Sequence, residues 1–142
     1  MLGLLNISEA ISIALHTCVW LADDPERFQS AHQISAKLGL SPHHCAKVVH
    51  QLVRAGILET ERGPAGGARL ARPSAAIAIL EIYTAAGGNP IYKGCLLKHH
   101  ICKGDGCTLG KLMARENQRL VSLLKNVTLA SVARSLKKKQ AG

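Results

Sequence analysis

The fold of this chain is decided by the stretch Ser30-Ala-His-Gln-Ile-Ser-Ala-Lys-Leu-Gly-Leu-Ser-Pro-His-His-Cys-Ala-Lys-Val-Val-His-Gln-Leu-Val-Arg-Ala-Gly-Ile-Leu58. Apolar residues recur in it at helical spacing, and Gly39 divides the pattern into two parts. Ser41 and Pro42 mark the start of the second part and Gly56 its end. The residues predicted to be buried are Ile34 and Leu38 in the first part and Cys45, Val48, Val49 and Leu52 in the second. The stretch therefore predicts two helices joined by a tight turn, the helix-turn-helix motif.

The outward face of the second helix is polar and partly basic. It consists of Ser41, His43, His44, Lys47, His50, Gln51 and Arg54. Such side chains donate hydrogen bonds to base edges or contact phosphates, so the helix is suited to the major groove of duplex DNA. An ordinary solvent-facing helix surface is the alternative interpretation, and the segment after the helix discriminates between them.

Two short strand-like runs follow, on either side of a turn rich in glycine and proline. They lie within Ile57-Leu-Glu-Thr-Glu-Arg-Gly-Pro-Ala-Gly-Gly-Ala-Arg-Leu-Ala-Arg72, a pattern typical of a β-hairpin. Arg62 and Arg69 flank the turn, where arginine side chains can follow a phosphate ridge or enter a minor groove. A hairpin directly behind a helix-turn-helix indicates a winged helix.

The charge distribution supports a polyanionic partner. The net charge is +9, and the positive charge is concentrated in residues 31–74, at +4, and residues 111–142, at +7. A basic surface attracts nucleic acid and, less specifically, an anionic membrane surface. With only 3% aromatic residues, stacking on single-stranded bases is disfavoured. We therefore expect a double-stranded DNA operator as the partner, with no membrane and no small-molecule substrate.

The apolar N-terminal segment, residues 1–22, does not have the pattern of a signal peptide or a membrane span. Its first basic residue is Arg27, beyond its end, and it contains Glu9 and His16. A Ser8 cap behind Ile7 predicts an amphipathic helix instead. Its expected buried residues are Ala10, Ala14, Leu15, Cys18, Val19 and Ala22. We expect a cytoplasmic protein.

The second half of the chain predicts three further helices. One begins near Pro73-Ser74 and stops at Ala86. A long one is capped by Thr108, and a short one begins at Thr128 before the basic tail. The long helix has the apolar stripe Leu109, Leu112, Met113, Leu120, Leu123, Leu124 and Val127. Because such a stripe next to a small winged domain is suited to pairing with a second copy, we expect a homodimer.

The predicted fold is thus mainly α with a small β-hairpin wing, a winged helix-turn-helix plus a long C-terminal dimerisation helix. We expect residues 1–86 to form the DNA-binding domain and residues 87–108 a cysteine-bearing cofactor loop. Residues 109–142 are expected to hold the dimerisation helix, the short C-terminal helix and the basic tail.

Three of the five cysteines, Cys95, Cys102 and Cys107, lie within thirteen residues together with His99 and His100. This density predicts a metal centre. The tight cysteine pairs of structural zinc sites are absent, whereas iron-sulfur clusters accept wider spacing, so the pattern favours a cluster. Zinc and a thiol redox switch remain open as alternatives. A redox or cluster-handling enzyme is disfavoured, since no nucleotide-binding glycine motif and no paired catalytic carboxylates are found.

Taken together, these features resemble the Rrf2 family of winged-helix transcriptional regulators, which includes the iron-sulfur-assembly regulator and the nitric-oxide-sensing repressor. The resemblance covers Trp20-Leu21-Ala22, the helix-turn-helix, the wing at residues 62–67, the cysteine loop and residues 126–130. It implies a cytoplasmic homodimer, acting as a repressor or other regulator, whose cysteines hold a [2Fe-2S] or [4Fe-4S] cluster. The DNA affinity of such a protein changes with redox state, nitric oxide or cluster status. The ligands carried over are Cys95, Cys102 and Cys107.

The chain departs from the family pattern in the spacing and in the fourth ligand. The gaps between the cysteines are six and four residues, where the commonest family pattern has equal gaps. Where some members have a histidine after the third cysteine, this chain has Thr108-Leu109-Gly110. Ala14-Leu15-His16 resembles a subset of the family in which a histidine of the first helix binds a [2Fe-2S] cluster. We therefore expect His16 as fourth ligand, with Glu9, Ser12, His99 and His100 as alternatives.

Overall fold

The computed structural model describes residues 7–92 and 107–140, with side chains through residue 137. In these residues there are six α-helices, α1 (Glu9–Asp23), α2 (Ala31–Leu38), α3 (Pro42–Arg54), α4 (Ile79–Ala85), α5 (Thr108–Asn126) and α6 (Leu129–Gln140). Two strands, β1 (Leu58–Glu61) and β2 (Gly67–Leu70), pair antiparallel, and a short 3-10 turn spans Ser74–Ala76. The predicted fold, mainly α with a hairpin wing, is confirmed.

Helix α1 lies at the centre of the molecule, in contact with α2, α3, α4 and α6. Ser8 caps it, accepting a hydrogen bond from the Ile11 backbone N–H at 3.3 Å, as predicted. The predicted buried face was only partly right. Of its six residues, Ala14 and Cys18 are fully buried, whereas Ala10, Leu15, Val19 and Ala22 are half-buried. Four residues outside that face are buried instead, Ile11, Ile13, Thr17 and Leu21. A helix surrounded by four others has no single buried stripe.

The helix-turn-helix has the predicted boundaries. Ser30 and Gln33 form a reciprocal cap of α2, with the Gln33 N–H donating to Ser30 Oγ at 3.1 Å and the Ser30 N–H to Gln33 Oε1 at 2.9 Å. Gly39 ends α2 at φ +68°, a left-handed conformation that glycine adopts without steric cost. Ser41 occupies the cap position of α3, but its hydroxyl makes no cap hydrogen bond. Proline at the first helical position therefore defines this helix start.

The wing is attached to the loop that precedes α2. Leu58 lies opposite Leu70 in the hairpin, and β2 also pairs with Gln29 on its other side. The Gln29 N–H donates to the Ala68 carbonyl at 2.9 Å, and the Ala68 N–H donates to the Gln29 carbonyl at 2.7 Å. The hairpin is thus extended by one residue of a third strand, an element that the sequence did not predict.

The segment between α5 and α6 is joined to the segment before α4 by backbone hydrogen bonds. The Ile79 N–H donates to the Val127 carbonyl at 3.0 Å, and the Leu129 N–H donates to the Ile77 carbonyl at 2.8 Å. Thr128 caps α6 as predicted, with its Oγ1 accepting from the Ser131 N–H at 3.3 Å. The prediction for α5 was wrong in one respect: Cys107 is its cap and Thr108 its first helical residue.

Helix α5 packs against α4 but leaves much of its apolar stripe uncovered. Gly110 is its one buried residue, whereas Leu109, Leu112 and Leu123 are 52%, 43% and 57% exposed. Among the described residues, no helix is long and apolar enough to cross a membrane.

Candidate functional site

The polar face of α3 lies on the outside of the molecule. Ser41, His43, His44, Lys47, His50 and Arg54 are exposed, and Gln51 is half-buried. The opposite face is fixed in the core by Cys45, Val48 and Leu52. The helix is therefore held rigidly from behind while its polar side chains are presented together to solvent.

The nitrogen-bearing side chains on this face differ in whether they contact a carboxylate. His44 Nδ1 lies 3.8 Å from Glu9 Oε1, an exposed contact between α3 and the start of α1. Within the described residues, no ion pair engages Lys47 or Arg54. These two side chains can approach a phosphate without first breaking a salt bridge.

The two arginines of the wing have different surroundings. Arg62 lies exposed at the end of β1, where the turn begins. Arg69 is half-buried, with its Nε 2.7 Å from Glu59 Oε1 and its Nη1 3.2 Å from the Glu26 carbonyl. The hydrogen bond to Glu59 raises the pKa of Arg69. Its guanidinium also stacks over Phe28 at 4.3 Å. Arg69 Nη1 also lies 3.7 Å from Glu26 Oε2. Arg69 thus fastens the base of the wing, and any phosphate would compete with the carboxylates of Glu59 and Glu26 for it.

Sequence reasoning missed two residues that hold the wing in place. The Trp20 indole Nε1–H, on α1, donates to Gln29 Oε1 at 2.9 Å. Gln29 is only 5% exposed. In the sequence alone, Trp20 is typical of a residue that packs within a helix face, and Gln29 is typical of a polar loop residue. Their pairing depends on the chain reversal after α1, which no local pattern reveals.

Of the predicted metal ligands, Cys107 is the one cysteine that the structure describes; Cys95, Cys102, His99 and His100 lie outside the described residues. Cys107 is a half-buried free thiol at the cap of α5, and its Sγ accepts the Gly110 N–H at 3.3 Å. The two other described thiols, Cys18 and Cys45, are fully buried. Burial raises the pKa of Cys18 to about 12 and also raises that of Cys45, which disfavours the thiolate that binds metals.

The expected fourth ligand, His16, and the two alternatives on α1 share one face of the helix. Glu9, Ser12 and His16 line a cleft together with Leu38 and Leu40. His16 is exposed, and its Nδ1 lies 2.7 Å from the Ser12 carbonyl oxygen. Because a carbonyl only accepts, Nδ1 is the donor in this contact, and in the neutral imidazole Nε2 then carries the free electron pair. Among the described residues, no three histidine, cysteine or carboxylate side chains come together as a metal site.

Comparison with known proteins gives a family match over most of the chain. Residues 7–135 match the model of Rrf2, described as an iron-dependent transcriptional regulator. A relative from Rhodopseudomonas palustris, the HTH-type transcriptional regulator BadM, is 36% identical over 78 residues, 55% of this chain. The chain spans half the length of that relative. The matched descriptions are of transcriptional regulators rather than enzymes.

Solved structures show the same fold. CymR, the global cysteine regulator of B. subtilis, is 23% identical with a TM-score of 0.78, over 93% of this chain and 98% of CymR. IscR of T. potens is 21% identical with a TM-score of 0.77, over 96% of this chain and 91% of IscR. Since the family model covers nearly the whole described chain, including the helix-turn-helix and the wing, this protein belongs to the Rrf2 family of transcriptional regulators.

Proposed function

We propose that this protein is a cytoplasmic, dimeric transcriptional regulator that binds a double-stranded DNA operator and whose DNA affinity is controlled by an iron-sulfur cluster. The observation that carries the DNA-binding part is the exposed polar face of α3, rigidly backed by the core and adjacent to a basic wing. Winged-helix proteins insert such a helix into the major groove.

On this proposal the DNA contacts are divided between base edges and phosphates. The proposed contacts are Ser41, His43, His44, Lys47, Gln51, Arg54, Arg62 and Arg69. Lys47 and Arg54 would meet phosphates beside the groove, since no described side chain neutralises them. Arg62 at the wing turn would follow the backbone or enter the minor groove. Arg69 contributes mainly through the wing base that it fastens to Glu59.

A second copy of the chain is the proposed occupant of the apolar surface on α5. Leu109, Leu112 and Leu123 are exposed on one face of the helix, with the charged pair Glu116 and Arg119 between Leu112 and Leu123, and several large leucines exposed on one helix face indicate a surface that binds a partner. Pairing of two copies also supplies two recognition helices for one duplex.

The cofactor proposal rests on the donor chemistry of the residues. Cys107 is a free thiol at a helix start, with a backbone N–H directed at its sulfur, and such hydrogen bonds suit a metal-bound thiolate. In His16, Nδ1 is hydrogen-bonded to the Ser12 carbonyl, and the ring nitrogen that does not bind the metal is typically hydrogen-bonded in this way in metal-binding histidines. These donors fit a [2Fe-2S] or [4Fe-4S] cluster, with Cys95 and Cys102 as the further proposed ligands.

A bound cluster would supply a centre sensitive to oxidants, nitric oxide or iron-sulfur supply. The residues of this chain would convert its presence into a change in DNA affinity, because α1 bears His16 and also contacts α3 through Glu9 and His44. A free-energy difference of about 3 kcal/mol between the two states would change the affinity about a hundredfold.

The DNA part is tested by selecting duplexes from a random pool with the full chain, purified without oxygen. We expect enrichment of a two-fold symmetric site. Lys47→Ala should weaken binding to all duplexes about equally and lower the salt dependence by about one counterion. Lys125→Ala, an exposed lysine of α5, is the matched control and should bind normally. Failure of the wild type to enrich any duplex would refute DNA binding.

The cofactor part is tested by the absorbance spectrum and by iron and sulfide counts of the same preparation. A broad visible band with matched iron and sulfide is expected. Cys107→Ser should lose most of both, whereas the control Cys45→Ala, which removes a core thiol, should keep them. A colourless protein that cannot be reconstituted would contradict the cluster and bring zinc or a thiol switch forward.

A further inference from the structure

We propose that Trp20 is a positioning residue for the wing, and that its indole fixes the wing against the helix-turn-helix so that both can contact one duplex. The proposal rests on the DNA-binding function proposed above. It assigns a role to a hydrogen bond between α1 and the α1–α2 loop, on the side of β2 that faces away from β1.

The first step is the hydrogen bond itself. Trp20 Nε1–H donates to Gln29 Oε1 at 2.9 Å, and the Gln29 residue is 5% exposed. A buried amide oxygen without a partner is costly, so the indole determines where this side chain lies.

The second step leads from Gln29 to the wing. Its backbone exchanges two hydrogen bonds with Ala68, at 2.9 and 2.7 Å, so Gln29 acts as a third strand beside β2. The neighbouring Gly67 has φ +140°, and a Cβ there would collide with the Gln29 backbone. Because the two backbones are in direct contact, a shift of Gln29 has to move β2.

The third step connects Trp20 and Gln29 to the helix-turn-helix. Ser30, the residue after Gln29, caps α2 through the Gln33 N–H. The ammonium of Lys37, in the last turn of α2, lies 5.2 Å from the centre of the Trp20 ring. The indole thus contacts the attachment of the wing and the helix before the recognition helix at once.

Through these contacts, Trp20 determines the distance between α3 and the wing turn at Arg62. Loss of the indole N–H should loosen the wing while leaving α3, which is held by its own core residues, in place. The loss of affinity should therefore concern the contacts of the wing alone.

The test uses the full chain, purified without oxygen, and the duplex that the wild-type protein selects. Trp20→Phe keeps the aromatic packing but removes the N–H, and Gln29→Met keeps the volume but removes the acceptor. Each should weaken binding about threefold to tenfold, in line with the loss of one hydrogen bond. Tyr83→Phe, which removes a polar group from an aromatic residue of α4, is the matched control and should bind like the wild type.

A mutant cycle separates positioning from general destabilisation. In an Arg62→Ala background, Trp20→Phe should cost little further affinity, because the wing contact is already lost. In a Lys47→Ala background it should cost its full amount. Equal costs in both backgrounds, or unchanged binding by both Trp20→Phe and Gln29→Met, would overturn the proposal. A wild-type protein that selects no duplex would instead refute the proposed function.

Discussion

Cys18 and Cys45 lie in the core, whereas Cys107 lies half-buried at the start of α5. The same side chain therefore has different chemistry at different positions. Burial raises the pKa of Cys18 to about 12, so this thiol stays protonated near neutral pH, and the surrounding residues also exclude reagents. Among the cysteines that the structure describes, the two core thiols are thus kept apart from Cys107, the one proposed for metal chemistry.

We expect Cys18 and Cys45 to resist iodoacetamide in the native, metal-free protein, while Cys107 reacts. The reason is burial, which both blocks access and raises the pKa of the two core thiols. Peptide mass spectrometry after timed labelling gives the rate at each cysteine, and labelling in urea serves as the control in which all react. Native Cys18 reacting as fast as Cys107 would contradict the structure.

Glu81 is expected to make stability depend on pH in the acid range. The Ala78 N–H, at 2.9 Å, and then Arg72, at 2.7 Å, hold the pKa of this carboxyl below its usual range. A lowered folded-state pKa stabilises the protein above the unfolded-state pKa, and this contribution disappears as the pH falls through the folded-state pKa.

The variant Glu81→Gln should therefore be less stable than the wild type at pH 7, by no more than about 1 kcal/mol because the pair is exposed. The difference should vanish as the pH falls below the carboxyl range. Urea unfolding at a series of pH values measures it, and a constant difference at all pH values would show that the charge is not responsible.

At the scale of elements, the backbone of β2 in the wing lies in direct contact with the backbone at Gln29. Gly63 and Gly67 both have positive φ, at +111° and +140°. A Cβ at Gly63 would meet open space, whereas one at Gly67 would collide with Gln29 and Ser30. The two positions thus share backbone strain but differ in packing.

Gly67→Ala should lower the free energy of unfolding by clearly more than Gly63→Ala. Gly63→Ala, the control, should lower the free energy of unfolding by about 1–3 kcal/mol, the range for a non-glycine residue in a left-handed conformation. Chemical denaturation of both variants provides the comparison. Equal losses would mean that the wing can move away from Gln29 at little cost.

The elements that the sequence predicted well are those decided by local pattern. Gly39, Pro42 and the apolar spacing are sufficient to define α2 and α3, because turn and capping preferences act within a few residues. The cap of α5 was assigned to Thr108 instead of Cys107, since a cysteine is an uncommon cap. The third strand at Gln29 was missed because it consists of a single residue whose partner, Ala68, is distant in sequence.

For the whole molecule, the exposed apolar residues of α5 bear on assembly: in the part of the chain that the structure describes, three of the five exposed large hydrophobic residues lie on this helix. We expect Leu123→Glu, at a residue that is 57% exposed, to shift the protein from dimer to monomer, because a charge would be buried between copies. Gln118→Glu, also exposed on α5, adds the same charge and is the control. Analytical ultracentrifugation across a concentration series measures both, and a dimer unaffected by Leu123→Glu would locate the interface elsewhere.

The sequence by itself determined the helix-turn-helix, the hairpin after it, the long helix α5 and the family, because spacing, glycine, proline and charge act locally and are readable in order. Only the tertiary structure decided which faces of α1 are buried, that Arg69, the cross-strand neighbour of Glu59 in the hairpin, also contacts Glu26, and that Trp20 holds Gln29 against the wing. These depend on contacts between distant segments, such as Arg69 with Glu26. Each such contact exists only once the chain has reversed direction after α1, and no local preference of the residues specifies it.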